Sequence, residues 1–158
     1  MNSERRDLFK FASALTAYRL AAAAGLLVPS FAFAEFENST AQFDAKTMDE
    51  FYKTLKGEMP QESLDVKVIA PDIAENGAVV PLGAMSTVLN TSEMYLLIAN
   101  NPAVLSSKFL IPQGTDAEVN IRVKMNKTGD VFAMVKTTDG KYYFAKKEVK
   151  VTLGGCGG

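Results

Sequence analysis

The 158-residue chain contains one cysteine, set between two glycine pairs in Gly154-Gly155-Cys156-Gly157-Gly158. A thiolate can hold a sulfur-bonded group covalently, attack an electrophile or pair with another thiol. No histidine occurs anywhere in the sequence. The usual general base for a cysteine nucleophile and the usual nitrogen ligand for zinc or copper are therefore both missing. Glycine lacks a Cβ and reaches φ values closed to other residues, so four glycines around one cysteine make a thin backbone that is costly to order. The stretch reads as a flexible arm, and at roughly 3.3 to 3.6 Å per extended residue it could carry the sulfur well clear of Leu153. Taken alone, it also fits a frayed terminus with an incidental cysteine, so the elements that would position it must discriminate.

The segment leading into the glycines, Tyr142 to Leu153, has strand character, with Val149, Val151 and Leu153 at alternate positions. Such a strand would give the arm a rigid base. Lys146, Lys147 and Lys150 lie within it; they read as a solvated face, with an anion-favouring role for a group held on the nearby sulfur as the alternative. Upstream, Val119 to Met125 alternates apolar and polar residues, and Val131 to Lys136 returns from a turn at Lys127 to Asp130. Met94 to Ala99 and Val104 to Leu110 are further strand candidates, ended by Asn100-Asn101-Pro102 and by Pro112. Leu64, Val66, Val68 and Ala70 alternate up to Pro71. Asp72 to Gly77 then reads as a turn-rich connection, followed by a short strand from Ala78 to Leu82 whose Pro81 favours an edge or a bulge, and Met85 to Leu89 as a further pairing segment.

One helix precedes the strands. Thr47 and Glu50 have capping-box spacing, and Met48, Phe51, Tyr52 and Leu55 form one apolar stripe before Gly57 and Pro60 end it. That stripe is read as core packing or partner contact. About seven or eight strands with turns between them predict an all-β, immunoglobulin-like β-sandwich with one N-terminal helix and a flexible C-terminal arm. A closed barrel is the alternative. With 47% hydrophobic and 22% charged residues, the composition suits one soluble domain, and the net charge of −1 without a basic patch argues against nucleic acid as a partner.

The N-terminus reads as an address. Arg5-Arg6-Asp7-Leu8-Phe9-Lys10 followed by the mostly apolar Phe11 to Phe33 has the layout of an export signal, and its paired arginines resemble the twin-arginine type. Ala32-Phe33-Ala34 supplies a small-x-small site, so cleavage is expected after Ala34. The apolar part is short and broken by Pro29, which disfavours a retained membrane anchor. The expected division is signal 1–34, sandwich domain 35–153 and arm 154–158. Removing the signal leaves thirteen basic against sixteen acidic residues, a mature charge of −3. The destination would be a bacterial periplasm, where an unpaired thiol implies intermolecular pairing or a reactive role.

The ending Lys147-Glu148-Val149-Lys150-Val151-Thr152-Leu153 plus the glycine-bracketed cysteine resembles the C-terminus of the SoxY family, the sulfur carriers of periplasmic thiosulfate oxidation. Ile69-Ala70-Pro71-Asp72-Ile73-Ala74-Glu75-Asn76-Gly77-Ala78-Val79-Val80-Pro81, Asn101-Pro102 and Asp139-Gly140-Lys141 support the resemblance in order, while Met85 to Tyr95 matches least well. The resemblance implies a carrier that does no chemistry alone. Cys156 would be the covalent attachment site, and Gly154, Gly155, Gly157 and Gly158 its hinge and clearance. It further implies a heterodimer with a SoxZ-like subunit, loading by a SoxXA-like cytochrome, hydrolysis by a SoxB-like enzyme and, where present, oxidation by a SoxCD-like dehydrogenase. No cofactor is implied beyond the carried sulfur, and no membrane contact once the signal is removed. The competing reading from the residues is a periplasmic subunit whose Cys156 forms an intersubunit disulfide. A catalytic Cys156 would require a base and a preorganised site that a glycine tail is poorly placed to provide.

Overall fold

The computed structural model describes residues 40–153. Residues 40–44 are helical, and helix α1 follows at Met48–Thr54. Thr47 caps α1 by accepting a hydrogen bond from the Glu50 amide at 3.1 Å. The Glu50 carboxylate reaches back one residue further than a capping box would take it, accepting from the Lys46 amide at 2.8 Å. The helix ends before Gly57, at an extended Leu55.

Nine strands follow: β1 (Gln61–Glu62), β2 (Val66–Ile69), β3 (Ile73–Ala74), β4 (Val80–Ser86), β5 (Thr91–Ile98), β6 (Leu105–Leu110), β7 (Ala117–Val123), β8 (Gly129–Thr137) and β9 (Tyr142–Val151). They build the expected immunoglobulin-like sandwich from a six-stranded sheet, ordered β1-β9-β8-β5-β6 with β3 also on β9, and a three-stranded sheet, β2-β4-β7.

The strand periods explain how the layers are filled. In β5, Met94, Leu96 and Ile98 face the small sheet, while Tyr95 and Leu97 face α1. In β8, Val131, Ala133 and Val135 point one way and Phe132 and Met134 the other. Both central strands are thus covered on two faces, which is why they read as continuous apolar runs rather than alternations. The alternation in β7 survives because its sheet has one wet face, with Glu118, Asn120 and Arg122 outward. The helical stripe is core packing: Phe51 is buried, with Met48, Tyr52 and Leu55 packed around it.

Several expectations change. A helical stretch at residues 40–44 precedes the one expected helix, and Met85 to Leu89 is no separate pairing segment, since Met85 and Ser86 end β4 and 87–89 belong to no strand. Leu64 is not the first residue of a strand but stands 95% exposed in the turn before β2. Asp72 to Gly77 is not only a turn, because Ile73 and Ala74 pair in parallel with Lys150 and Val151. Pro81 lies in the middle strand of a sheet, yet at a point where β4 has β7 as its one neighbour, since β2 reaches only to Gly83. The missing N–H of proline is tolerated there for the reason that makes edges tolerant.

At one end of the large sheet, Glu93 on β5 is bound by Lys108 of β6 at 2.8 Å and Lys136 of β8 at 3.0 Å, and it accepts a short hydrogen bond from Tyr95. Burial opposes its charge, but the bonds from Lys108, Tyr95 and Lys136 prevail and hold its pKa at about 2, below the ordinary 4.5. A depressed carboxylate adds stability above its unfolded pKa that is lost as pH falls through the folded value. Glu93→Gln should therefore cost roughly 2 kcal/mol at neutral pH, after allowance for solvent screening. In urea denaturation the gap to wild type should narrow below pH 4.5 and close near pH 2.

Candidate functional site

Cys156 and the arm glycines Gly154, Gly155, Gly157 and Gly158 lie outside the described residues, as do Arg5, Arg6 and the cleavage position Ala34. What the structure places is the stretch that leads up to them. β9 runs ten residues to Val151, and Thr152 and Leu153 follow it as a bend.

This last stretch is held from both edges. On one side the Lys150 amide donates to the Asp72 carbonyl at 2.9 Å, the Thr152 amide to Ala74 at 3.1 Å, and the Gly77 amide to the Leu153 carbonyl at 2.8 Å. The Thr152 hydroxyl adds a bond to the Glu75 carbonyl at 2.9 Å. On the other side the Val151 amide donates to the Thr128 hydroxyl at 2.9 Å. Exposed backbone near a chain end frays unless its groups are paired, and here every residue from Lys150 to Leu153 has a partner. Gly77 is itself tied down, its carbonyl accepting from the Met125 amide at 2.7 Å, and Asn76 accepts from the Ala78 amide at 2.8 Å to form an Asx turn.

The loop that carries Thr128 is braced in turn. Asn100 donates to the Thr128 carbonyl at 2.8 Å, and Asn101 spans Lys124 and Asn126 at 2.7 and 3.1 Å. Gly129 is required by this arrangement, since a Cβ there would lie 2.4 Å from the Asn100 amide nitrogen. Sequence reasoning picked out 69–81 and Asn101-Pro102 by resemblance but gave them no task. In the structure they hold Lys150 to Leu153 and the loop beside it in place. Thr128 and Thr152 were missed, because nothing in a lone threonine distinguishes a brace from a solvated residue.

The lysines before the arm divide. Lys147 shares the inward register of Ala145 and Val149, but its Nζ emerges at the edge of the sandwich, donating to the Ala70 carbonyl at 2.6 Å and pairing with the exposed Asp72 at 2.9 Å. The hydrogen bond and charge of Lys147 hold the Asp72 carboxyl below its ordinary pKa. Lys146 and Lys150 point to solvent on the opposite face. The three do not form one cationic surface; strand alternation separates them. Among the described residues no group of three or more His, Cys, Asp or Glu could hold a metal, and no helix is long and apolar enough to cross a membrane. Where β2 ends against β4 and β7, Ile69, Ala70, Pro71, Pro81, Leu82 and Ile121 line a cleft of about 470 Å³ together with the polar Asn120 and Arg122.

The family model described as "SoxY: Sulfur oxidation protein SoxY" matches residues 52–156, a span that includes Cys156. Among solved structures, the sulfur carrier protein SoxY from Chlorobium limicola f thiosulfatophilum is 34% identical over 61% of this chain and 88% of that chain, with a TM-score of 0.55. A superoxide reductase (neelaredoxin) from Ignicoccus hospitalis is 18% identical over 54% of this chain and 79% of that one, with a TM-score of 0.45. No curated protein matches the chain.

The bracing makes a local prediction. Thr128→Val removes the acceptor for the Val151 amide, and the loss of about 1 kcal/mol of local stability should speed amide exchange at Val151 roughly fivefold. Exchange at Leu96 and Ala133, in the centre of the sheet, should stay unchanged. Hydrogen-exchange NMR reads both.

Proposed function

The chain belongs to the SoxY family of sulfur oxidation proteins, and on that premise we propose that it is a sulfur carrier in which Cys156 holds the cargo covalently and partner enzymes do the chemistry. The observation that carries the reading is the family match through residue 156, which takes in the sole cysteine of the chain. The paired backbone from Lys150 to Leu153 supports it: a carrier must hand over its cargo from a defined point, and an immobile root supplies one.

The chemistry suits a thiol that is not itself catalytic. Joining thiosulfate to the Cys156 thiolate forms a sulfur–sulfur bond and releases two electrons, which a cytochrome partner of the SoxXA type accepts. The product is a cysteine-bound thiosulfonate. Water then attacks its terminal sulfur at a SoxB-type hydrolase, releasing sulfate and two protons and leaving a persulfide on Cys156. A SoxCD-type dehydrogenase would oxidise that persulfide sulfur to a sulfonate, taking its three oxygens from water, releasing six protons and accepting six electrons, so that a second hydrolysis releases sulfate and frees the Cys156 thiol. Gly154, Gly155, Gly157 and Gly158 leave the thiol without bulky neighbours, so that it can enter narrow reaction centres. A SoxZ-like subunit completes the carrier as a heterodimer, in the periplasm, after export through the Arg5-Arg6 signal and cleavage after Ala34.

Intact-mass analysis of the mature protein tests this, alone and after turnover with thiosulfate and the partner enzymes. Sulfur-containing additions should appear on the wild type and be absent from Cys156→Ser. Adducts on the serine variant, or none on the wild type during active turnover, would sink the proposal. A reducible doubling of mass without substrate would instead indicate an intersubunit disulfide.

A further inference from the structure

We propose that Asn76 is a self-modification site, losing its side-chain amide to become aspartate or isoaspartate, and that the pairing of Gly77 with Leu153 holds this reaction back. The inference stands apart from the carrier reading. Asn76-Gly77 is the one asparagine–glycine pair in the sequence. Glycine has no side chain to crowd the approach of its own nitrogen to the side chain before it. In the reaction the Gly77 nitrogen gives up its proton and bonds to Asn76 Cγ, the bond from Cγ to Nδ2 breaks, and Nδ2 departs with that proton as ammonia. Water then opens the resulting succinimide at either carbonyl. One opening gives aspartate; the other gives isoaspartate, with one more carbon in the main chain. The chemistry needs no oxidant and no second protein.

The hydrogen bonds around the pair divide into those that favour attack and those that oppose it. Asn76 is exposed, so water can enter and ammonia can leave, whereas Gly77 is buried. Asn76 Oδ1 accepts from the Ala78 amide at 2.8 Å, and a donor on that oxygen steadies the negative charge it takes on when Cγ is attacked. The Asn76 carbonyl accepts from the Val79 amide at 3.3 Å, which favours loss of the proton from the same peptide group. Against these, the Gly77 amide donates to the Leu153 carbonyl at 2.8 Å, so the proton that must leave is the one the end of β9 holds. The Gly77 carbonyl is bound by the Met125 amide at 2.7 Å, which fixes the residue between two distant segments. The electrophile is thus activated by its own turn and the nucleophile is blocked by tertiary structure. Reaction runs through the opened form, at a rate set by how often Leu153 lets go. Isoaspartate lengthens the main chain just before Gly77 and displaces it from Leu153 and Met125, so each molecule so modified keeps a loosened end of β9.

The test incubates the complete mature protein at mildly alkaline pH and follows Asn76 by peptide mapping with mass spectrometry, in which the aspartate and isoaspartate products separate. A free peptide of residues 72–81 gives the rate without tertiary structure, and Asn76 in the folded protein should convert at least about tenfold more slowly. Thr128→Val removes the acceptor of the Val151 amide, and Thr152→Val removes the hydroxyl bond to the Glu75 carbonyl. Both weaken the hold on Lys150 to Leu153 without altering residues 76–78. Each should raise the Asn76 rate about fivefold, in step with amide exchange at Gly77. Glu93→Gln removes the carboxylate bound by Lys108 and Lys136 at the other end of the sandwich. It lowers global stability and should leave the Asn76 rate unchanged, because the opening is local. The isolated isoaspartate form should exchange its Thr152 amide faster than the unmodified protein. The proposal is overturned if folded Asn76 reacts as fast as the peptide, if the two threonine variants keep the wild-type rate, or if Glu93→Gln accelerates the reaction as much as they do. Equal exchange at Thr152 in the two forms would overturn the loosening of β9.

Discussion

The constraint on which the rest of the structure depends is the satisfaction of β9's backbone along both of its edges. A strand at the end of a chain presents unpaired amides and carbonyls on one side, and it frays or recruits another chain when nothing covers them. Here β8 takes one edge, while β1 and β3 take the other in two short parallel pieces. The parallel pieces cannot come from a hairpin, because parallel strands need a crossover between them. The crossover to β9 is made by β4 to β8, and between its two short pieces the chain leaves β1, forms β2 in the opposite sheet and returns as β3. One excursion thus begins the small sheet and pins the last residues of the large one.

The packing then follows from how much surface each strand has to hide. β5 and β8 lie between the small sheet and α1, so their residues are apolar in both directions, and the charged groups that interrupt them are neutralised where they sit. Glu93 is the example, because its carboxylate is acceptable beside the core only with Lys108, Lys136 and Tyr95 around it. At the opposite end the sandwich spends its polar side chains on loops instead. Asn100, Asn101 and Thr128 satisfy backbone groups that no strand reaches, and that keeps the end of β9 in one place. The two ends of the sandwich therefore lean on different groups: Glu93 and its two lysines at one, and chiefly amide and hydroxyl side chains, with the Lys147–Asp72 pair beside them, at the other.

Much of this was legible along the chain. The alternation in Val119 to Met125, the apolar run from Met94 and the stripe Met48-Phe51-Tyr52-Leu55 each report a local period, and a local period survives folding because it reflects which side of one element is buried. The errors came where a residue's environment is contributed by distant segments. Leu64 continues an alternating pattern, but β2 begins only where Ser86 stands opposite Val66. Pro81 looked like an edge residue and is one locally, though its strand is central further along. Asp72 to Gly77 has turn chemistry at Asn76-Gly77 and becomes a strand partner only because β9, more than seventy residues later, lies alongside. No window of sequence contains both halves of that pairing.

What the sequence by itself determined is the chemistry and the class: one cysteine among glycines, no histidine to act on it, alternating segments that make a sandwich, and a resemblance that the family match bore out. Those properties are carried by residue types and short spacings, which are present before the chain folds. What only the tertiary structure decided is which surroundings Lys150 to Leu153 acquire. Lys147 turns to Asp72 and Ala70 while Lys146 and Lys150 turn out, and Gly77 and Thr128 become the clamps. The physical reason is that hydrogen bonds between strands and contacts between faces join residues far apart in the chain. Their partners exist only once the two sheets have closed on each other.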